Sequence, residues 1–380
     1  MTRVAFVSPE PTPYRAPLLD LVAERPEIDL TAIYAAHTVA GRTWTVEPAH
    51  EAVFLDGPRL IGARRVLHHD YPVTPGVFRA LTHARPEVVV ISGWSTFAAQ
   101  AALLWSRLRH VPYVLLVESH DEGPKTGWRR TVKGRVVPPA VRSAASLLVV
   151  GSLARDSVVA LGANPARVRV FANTIDVEEY GRLADELSAR RPELREGLGL
   201  GEDDVAVLTV ARLAPEKGHE TLLRALAVAG APLHSVLVGE GPERARLDAL
   251  ARTLGVRATF VGERPREQVI EAYAAADVFA LLSEREPWAV VVNEAAACGL
   301  PLVLSSRVGA ARDLLRDGQN GALVAAGDVD GAARALSELA GSPGRRHAAG
   351  EHSRELVRTW GYEPSVESFV EAIREATASR

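Results

Sequence analysis

Short apolar runs alternate with longer stretches of mixed polarity along most of the chain. Arg3–Ser8, Leu30–Tyr34, Val88–Ser92, Tyr113–Glu118, Leu147–Val150 and Val168–Phe171 predict six strands. Val205–Val210, Ser235–Val238, Ala258–Val261, Val278–Leu281 and Leu302–Leu304 predict five more. Most are continuously apolar, the pattern of strands covered on both faces in a parallel sheet. Phe97–Arg109, Glu220–Ala229, Pro242–Leu254 and Glu267–Ala275 read as helices between strands. Repeated strand–helix–strand units predict a doubly wound α/β architecture. The charged, β-poor stretch Asp176–Gly201 parts the strands into two groups, so two lobes are expected. In the tail, Val366, Phe369 and Ile373 fall on one face of a last helix over 365–377.

Composition adds mostly exclusions. A chain of 380 residues exceeds the roughly 250–300 that one core supports. Hydrophobic residues at 47% and charged residues at 24% exclude disorder, collagen and coiled coil as the main class. A net charge of −3 gives no polycation for nucleic acid. With Cys298 as its one cysteine, the chain can form no internal disulfide and no cysteine-based zinc site. The apolar runs fall far short of the ~18 residues of a membrane span, and Val4–Val7 is too short for a signal-peptide core. The expectation is a soluble cytoplasmic protein without short internal repeats. Residues 1–180 hold 20 basic and 17 acidic residues and the rest hold 24 and 30, so the two halves differ in sign.

In open α/β sheets, ligands bind beyond the carboxyl ends of strands, so the chemistry is sought there. One predicted strand end carries Arg212 and then Lys217-Gly218 just before a helix. Two cations at a helix mouth suit a diphosphate, although a solvated loop would look the same in isolation. A second strand ends in Gly239-Glu240-Gly241-Pro242, which lacks the third glycine of a dinucleotide fingerprint and reads as a tight turn. A third ends in Gly262-Glu263-Arg264, where backbone groups could meet a nucleobase. The fourth, Glu286-Pro287-Trp288-Ala289-Val290 running to Glu294, is the most telling. Pro287 suits a first helical position, which would aim the N–H groups of residues 288–290 at an anion. Glu286 would then accept from sugar hydroxyls, and Glu294, about two turns on, from ribose hydroxyls.

These residues together resemble a family 4 glycosyltransferase of the GT-B fold. The resemblance runs from Ala211-Arg212-Leu213 and Lys217-Gly218 through Gly239-x-Gly241-Pro242 and Ala276-Asp277-Val278. It continues through Glu286-Pro287-Trp288 and Glu294-Ala295-x₂-Cys298-Gly299-x-Pro301 to Gly309-Ala310, Asp313-Leu314-Leu315 and Gly318-x-Asn320-Gly321. It implies two Rossmann-like doubly wound lobes with a cleft between them. The expected lobes are 1–178 for the acceptor, with a helix about 361–380 packing back on it, and 179–360 for the donor. It also implies that Arg212 and Lys217 hold the diphosphate of a nucleotide sugar, that Glu286 meets the sugar, and that Glu294 meets the ribose. Gly241, Gly262, Arg264, Pro287, Trp288, Ala289 and Val290 complete the expected donor set. Ala289 departs from the family, which most often has glycine there, and its methyl bears on the fit of the sugar. The family needs neither metal nor cofactor, and Asp328-Val329-Asp330 reads as a helix cap rather than a metal site.

On the acceptor side, Pro9, Pro11, Pro13 and Pro17 stiffen the loop after the first strand. Tyr14 and Arg15 read equally as acceptor or diphosphate contacts and as loop anchors, and Pro13 joins them in the expected acceptor set. Trp94 lies at another strand end. Glu118-Ser119-His120-Asp121 cannot be a triad, because adjacent residues do not form a relay. The resemblance makes His120 the first choice for a residue near the donor sugar, with Glu118 and Asp121 as alternatives. Asn173-Thr174-Ile175-Asp176 resembles the family's segment between lobes. The basic run at 125–142, with no acidic residue, could touch an anionic membrane, but a solvated helix is the favoured reading. The expected activity is retaining transfer from a UDP- or GDP-sugar to a hydroxyl of a glycan, lipid-linked sugar or small natural product. The rivals are an epimerase or phosphorylase on the same fold and a non-catalytic donor-binding protein. The sugar, base, acceptor and oligomeric state are left open.

Overall fold

The computed structural model describes residues 1–38, 46–55, 57–58, 71–118, 128–230 and 232–379, and of residues 128–133 and 136 only the backbone. The chain forms two units, residues 1–173 with 362–380, and residues 174–361.

The first unit is built on seven parallel strands: β1 Thr2–Ser8, β2 Ile28–Tyr34, β3 Ala52–Phe54, β4 Val88–Ser92, β5 Tyr113–Val117, β6 Ser146–Val149 and β7 Val168–Val170. Their order is β3-β2-β1-β4-β5-β6-β7, so the winding reverses between β1 and β4. Strands β4, β5 and β6 are buried at every position, as their unbroken apolar sequences require. The helices Ala16–Ala23 and Tyr362–Ala378 share a core with the sheet. Val366, Phe369, Val370, Ile373 and Ala376 recur at helical spacing and are buried, and the Phe369 ring lies 5.3 Å from Phe171. The Arg169 guanidinium pairs with Glu371 and Glu375 beside them.

The second unit has six parallel strands: β8 Val205–Val210, β9 Leu233–Val238, β10 Ala258–Gly262, β11 Val278–Leu281, β12 Leu302–Ser305 and β13 Gly321–Val324. Their order is β10-β9-β8-β11-β12-β13, with the reversal between β8 and β11. The β-poor stretch after Asp176 is helical, over Val177–Leu187 and Arg191–Gly197, and belongs to this unit. Arg191 and Arg195 each reach Asp277 at 2.9 Å, and Asp277 also accepts from the Ala206 N–H at 2.8 Å, which fixes those helices to the sheet.

Two strands carry too little pattern to be expected. Strand β3 is three half-buried residues at a sheet edge, and β13 is an edge strand that starts at a glycine and exposes Leu323. Both are apolar in sequence but only three and four residues long and incompletely buried at their edges, so neither stands out as the longer buried run of a central strand does.

Candidate functional site

The reversal points place two loop clusters at the carboxyl ends of the sheets, and the one in the second unit carries the charges. Beyond β8, the Arg212 side chain is largely exposed and pairs with Glu216 at 2.7 Å. The Arg212 carbonyl accepts from the Nε2–H of buried His219 at 3.0 Å. Burial holds the His219 imidazole below its ordinary pKa, so a neutral ring clamps the loop. Gly218 has φ +71° and its α-carbon faces the Leu282 carbonyl so closely that a Cβ would overlap it. That contact brings Lys217 across to the loop beyond β11, where its Nζ pairs with the Glu286 carboxylate. The two side chains are 21% and 14% exposed, so the pair is sheltered without being sealed off.

Backbone bonds hold this geometry. The Glu284 N–H donates to the Glu216 carbonyl at 2.9 Å, the Glu286 N–H to Arg307 at 3.2 Å, and the Gly309 N–H to Glu286 at 2.9 Å. At Gly309 a Cβ would overlap the Pro287 carbonyl. Gly239 and Gly241 press in the same way on the carbonyls of Ala211 and Leu213, so this glycine pair packs one loop on another. Gly262 takes φ +84° at the end of β10, beside an exposed Arg264.

The helix after Glu286 begins later than expected. It spans Val290–Ala297, so Pro287 is not its first residue, and the N–H groups of its first turn start at Val290. Ala289 precedes it with φ +81°, a left-handed conformation that favours glycine and that the alanine methyl strains. The cause of the delay is Trp288. Its side chain is buried, its indole donates 3.1 Å to Asn293 Oδ1, and its ring packs 5.2 Å from Trp360. The Trp288 side chain is therefore a core anchor. Asn293 continues the network by donating 3.3 Å to Thr174 Oγ1, whose own hydroxyl donates to the Trp360 carbonyl.

Glu294 consequently lies one turn into the helix rather than two turns beyond Glu286. Its Oε2 accepts from the Tyr273 hydroxyl at 2.8 Å, and burial raises its pKa against the opposing pull of Tyr273 and Arg266. Sequence reasoning misses both Tyr273 and Asn293. Tyr273 meets Glu294 across 21 positions and leaves no local motif. Asn293 does leave a signal, as a polar residue amid the apolar run Val290–Ala297.

The rest of the motif is structural. Asn320 is buried, accepts from the Arg316 N–H at 2.6 Å and donates 2.9 Å to Leu314, closing the turn before β13. Asp328 caps its helix through a 2.9 Å bond from the Gly331 N–H. Cys298 is buried, and burial pushes its thiol well above the ordinary value.

In the first unit, the loop beyond β1 is fastened by a side chain. Arg15 is buried and donates to Glu118 Oε1 at 3.1 Å, to the Ala172 carbonyl at 3.3 Å and to Asn173 Oδ1. Its guanidinium also lies 4.4 Å from the Phe171 ring centre. It anchors the loop to the ends of β5 and β7, with its Nε–H left without a partner among the described residues. Pro13 is exposed and Tyr14 and Trp94 are half-buried. Glu118 is turned toward Arg15. His120 and Asp121 lie outside the described residues, as does Lys125. Among the described residues no cluster of His, Cys, Asp and Glu could hold a metal, and no helix is long and apolar enough to cross a membrane.

Comparison with known proteins identifies the family and the fold. Residues 190–356 match the family described as glycosyl transferases group 1, and residues 26–174 match the glycosyl transferase 4-like domain. The D-inositol 3-phosphate glycosyltransferase of Xylanimonas cellulosilytica is 30% identical over 81% of this chain and 77% of its own length. That of Kribbella flavida is 33% identical over 59% of this chain and 54% of its own. The chain thus spans about half the length of several curated relatives that it matches. Anabaena Alr3699/HepE, solved in complex with UDP-glucose, superposes with a TM-score of 0.71 at 20% identity over 100% of both chains.

Proposed function

The chain belongs to the glycosyl transferases group 1 family and has the GT-B fold, and from that membership we propose that it moves a sugar from a nucleotide diphosphate to an acceptor hydroxyl, with retention of configuration and without a metal. The observation that carries the reading is the Lys217–Glu286 pair at the β8/β11 reversal, with Glu286 four residues before the helix start at Val290. A diphosphate competes with Glu286 for Lys217, and Arg212 and the first-turn N–H groups add to its hold. The released Glu286 carboxylate then accepts from sugar hydroxyls. As the bond from the anomeric carbon to phosphate breaks, these cations stabilise the charge on the leaving diphosphate. The acceptor oxygen bonds to that carbon on the same face, and its proton passes to the leaving phosphate oxygen. In this reading Glu294, which accepts from the Tyr273 hydroxyl, takes the ribose hydroxyls.

Solved relatives of this fold carry UDP and UDP-glucose, which supports a uridine donor. The relatives' name makes inositol 3-phosphate the first acceptor to try. Arg15 is the one cation between Ser8 and Ala16, and since Glu118 and the Ala172 carbonyl already hold it, this reading puts the acceptor phosphate on other residues. The test is a thermal melt with UDP, GDP and ADP. A ligand at a hundredfold excess over Kd adds about 2.7 kcal/mol, and the expected order puts UDP first. A melt unmoved by every nucleoside diphosphate overturns the reading. Unchanged turnover in EDTA and an unchanged anomeric configuration by NMR test the other two claims.

A further inference from the structure

Six large hydrophobic side chains are exposed among the described residues, and three of them, Phe97, Leu104 and Leu108, lie on the helix Phe97–Arg109. At 100° per residue they fall within about 40° of one another, forming one stripe roughly 16 Å long. The other side of the helix is buried through Ala98, Ala102 and Trp105, and the Trp105 indole donates 3.1 Å to the Thr82 hydroxyl. That bond seats the helix beside Val77–Ala84, whose outer side exposes Arg79 and His83, followed by Arg85. A hollow of about 810 Å³ is lined there by Arg3, Phe78, Arg79, His83 and Arg85. At the end of the longer helix Arg107, Arg109 and His110 are exposed. Between positions 71 and 117 the chain holds a single acidic residue, Glu87, and Glu87 faces Arg3 at 3.8 Å.

Single exposed leucines are ordinary, but an aligned apolar stripe flanked by exposed arginines is the composition of a surface that rests in a lipid interface. We propose that this face docks on an anionic membrane. Phe97, Leu104 and Leu108 enter the boundary between headgroups and acyl chains, and Arg79, Arg85, Arg107 and Arg109 meet lipid phosphates. Apolar contact and positive charge are the two signals that lasting attachment requires. A second copy of the chain would set arginines against arginines. The proposal uses neither the sugar chemistry nor the basic run at 125–142.

Flotation with vesicles of phosphatidylglycerol and phosphatidylcholine, against phosphatidylcholine alone, tests it. The full chain is expected to float with the mixed vesicles and to be released by salt. One arginine near such a surface contributes roughly fivefold, so Arg79→Gln with Arg109→Gln weakens binding about 25-fold. Leu104→Ser with Leu108→Ser weakens it about tenfold or more. All four residues are exposed, and circular dichroism checks that the variants fold. Equal flotation with both vesicle types, or variants that float like the parent chain, overturns the proposal. Sensitivity to the arginines without sensitivity to the leucines overturns the insertion of the stripe. A dimer dispersed by Leu108→Ser, without vesicle binding, overturns it in favour of a second copy.

Discussion

The loops beyond β8 and β11 and the loops beyond β1 occupy equivalent places in two sheets, yet they are fastened by opposite means. In the second unit, backbone bonds between loops and close glycine contacts carry the fastening, and Lys217 and Glu286 stay partly open. In the first unit a buried arginine does the fastening through both terminal nitrogens of its guanidinium. A cation in a strand-end loop therefore does not by itself indicate a ligand. What decides is whether something else already holds the loop.

The largest effect expected from this contrast is on turnover. Lys217→Ala and Glu286→Ala should each lower kcat by roughly 10²–10³, the usual loss when one stabilising group at a reacting centre is removed. Each single variant also leaves its partner's charge sheltered and unpaired, so each should be less stable than the double variant. Steady-state rates and urea melts on the three proteins measure both quantities. Full activity in either single variant would break the comparison from the donor side.

Arg15→Ala should do the reverse. It strands the Ala172 carbonyl and the side chains of Asn173 and Glu118, and is expected to cost about 3 kcal/mol of stability. Activity per folded molecule should hold at low temperature. Arg15→Lys should recover little, because lysine lacks the fork that reaches several acceptors at once. A raised KM for the acceptor with an unchanged urea midpoint would mean that Arg15 is a contact after all.

The same contrast explains which features are legible in the amino-acid sequence. Parallel strands buried on both faces announce themselves as apolar runs, and the dense motif from Arg212 to Gly321 marks the strand-end loops of the second unit. The two meanings of Arg15 cannot be separated there, because its partners Glu118, Ala172 and Asn173 lie more than a hundred positions away. The helix start differs from its expected place for a related reason. Proline is a sound local signal for a first turn, but burial of Trp288 against Trp360 and Asn293 overrides it. That override pushes Ala289 into a left-handed conformation.

The strain at Ala289 gives a smaller prediction. A non-glycine residue held there costs of order 1 kcal/mol, part of which glycine returns as extra freedom of the unfolded chain. Ala289→Gly should therefore stabilise the protein by about 0.5–1 kcal/mol, a rise of a few degrees in the melting temperature. A lower melting temperature would mean that the methyl packs usefully and that the backbone is relaxed around it.

The smallest effect concerns Glu294, where fastening and availability meet in one side chain. Burial raises its pKa above the ordinary 4.5, so the fold disfavours the charged form despite the Tyr273 hydroxyl. Stability from this site is complete below pH 4.5 and is lost as pH rises through the elevated pKa of the folded protein. Glu294→Gln keeps an acceptor for Tyr273 and removes the charge, so it should be the more stable protein at neutral pH. The advantage should close as pH falls toward 4, which melts at several pH values would show. The same substitution should weaken nucleotide binding, because a neutral amide accepts less strongly from ribose hydroxyls. A variant that is both more stable and binds UDP as tightly would show that the buried carboxylate is kept for neither purpose, and would move the ribose contact to another residue of the β8–β11 cluster.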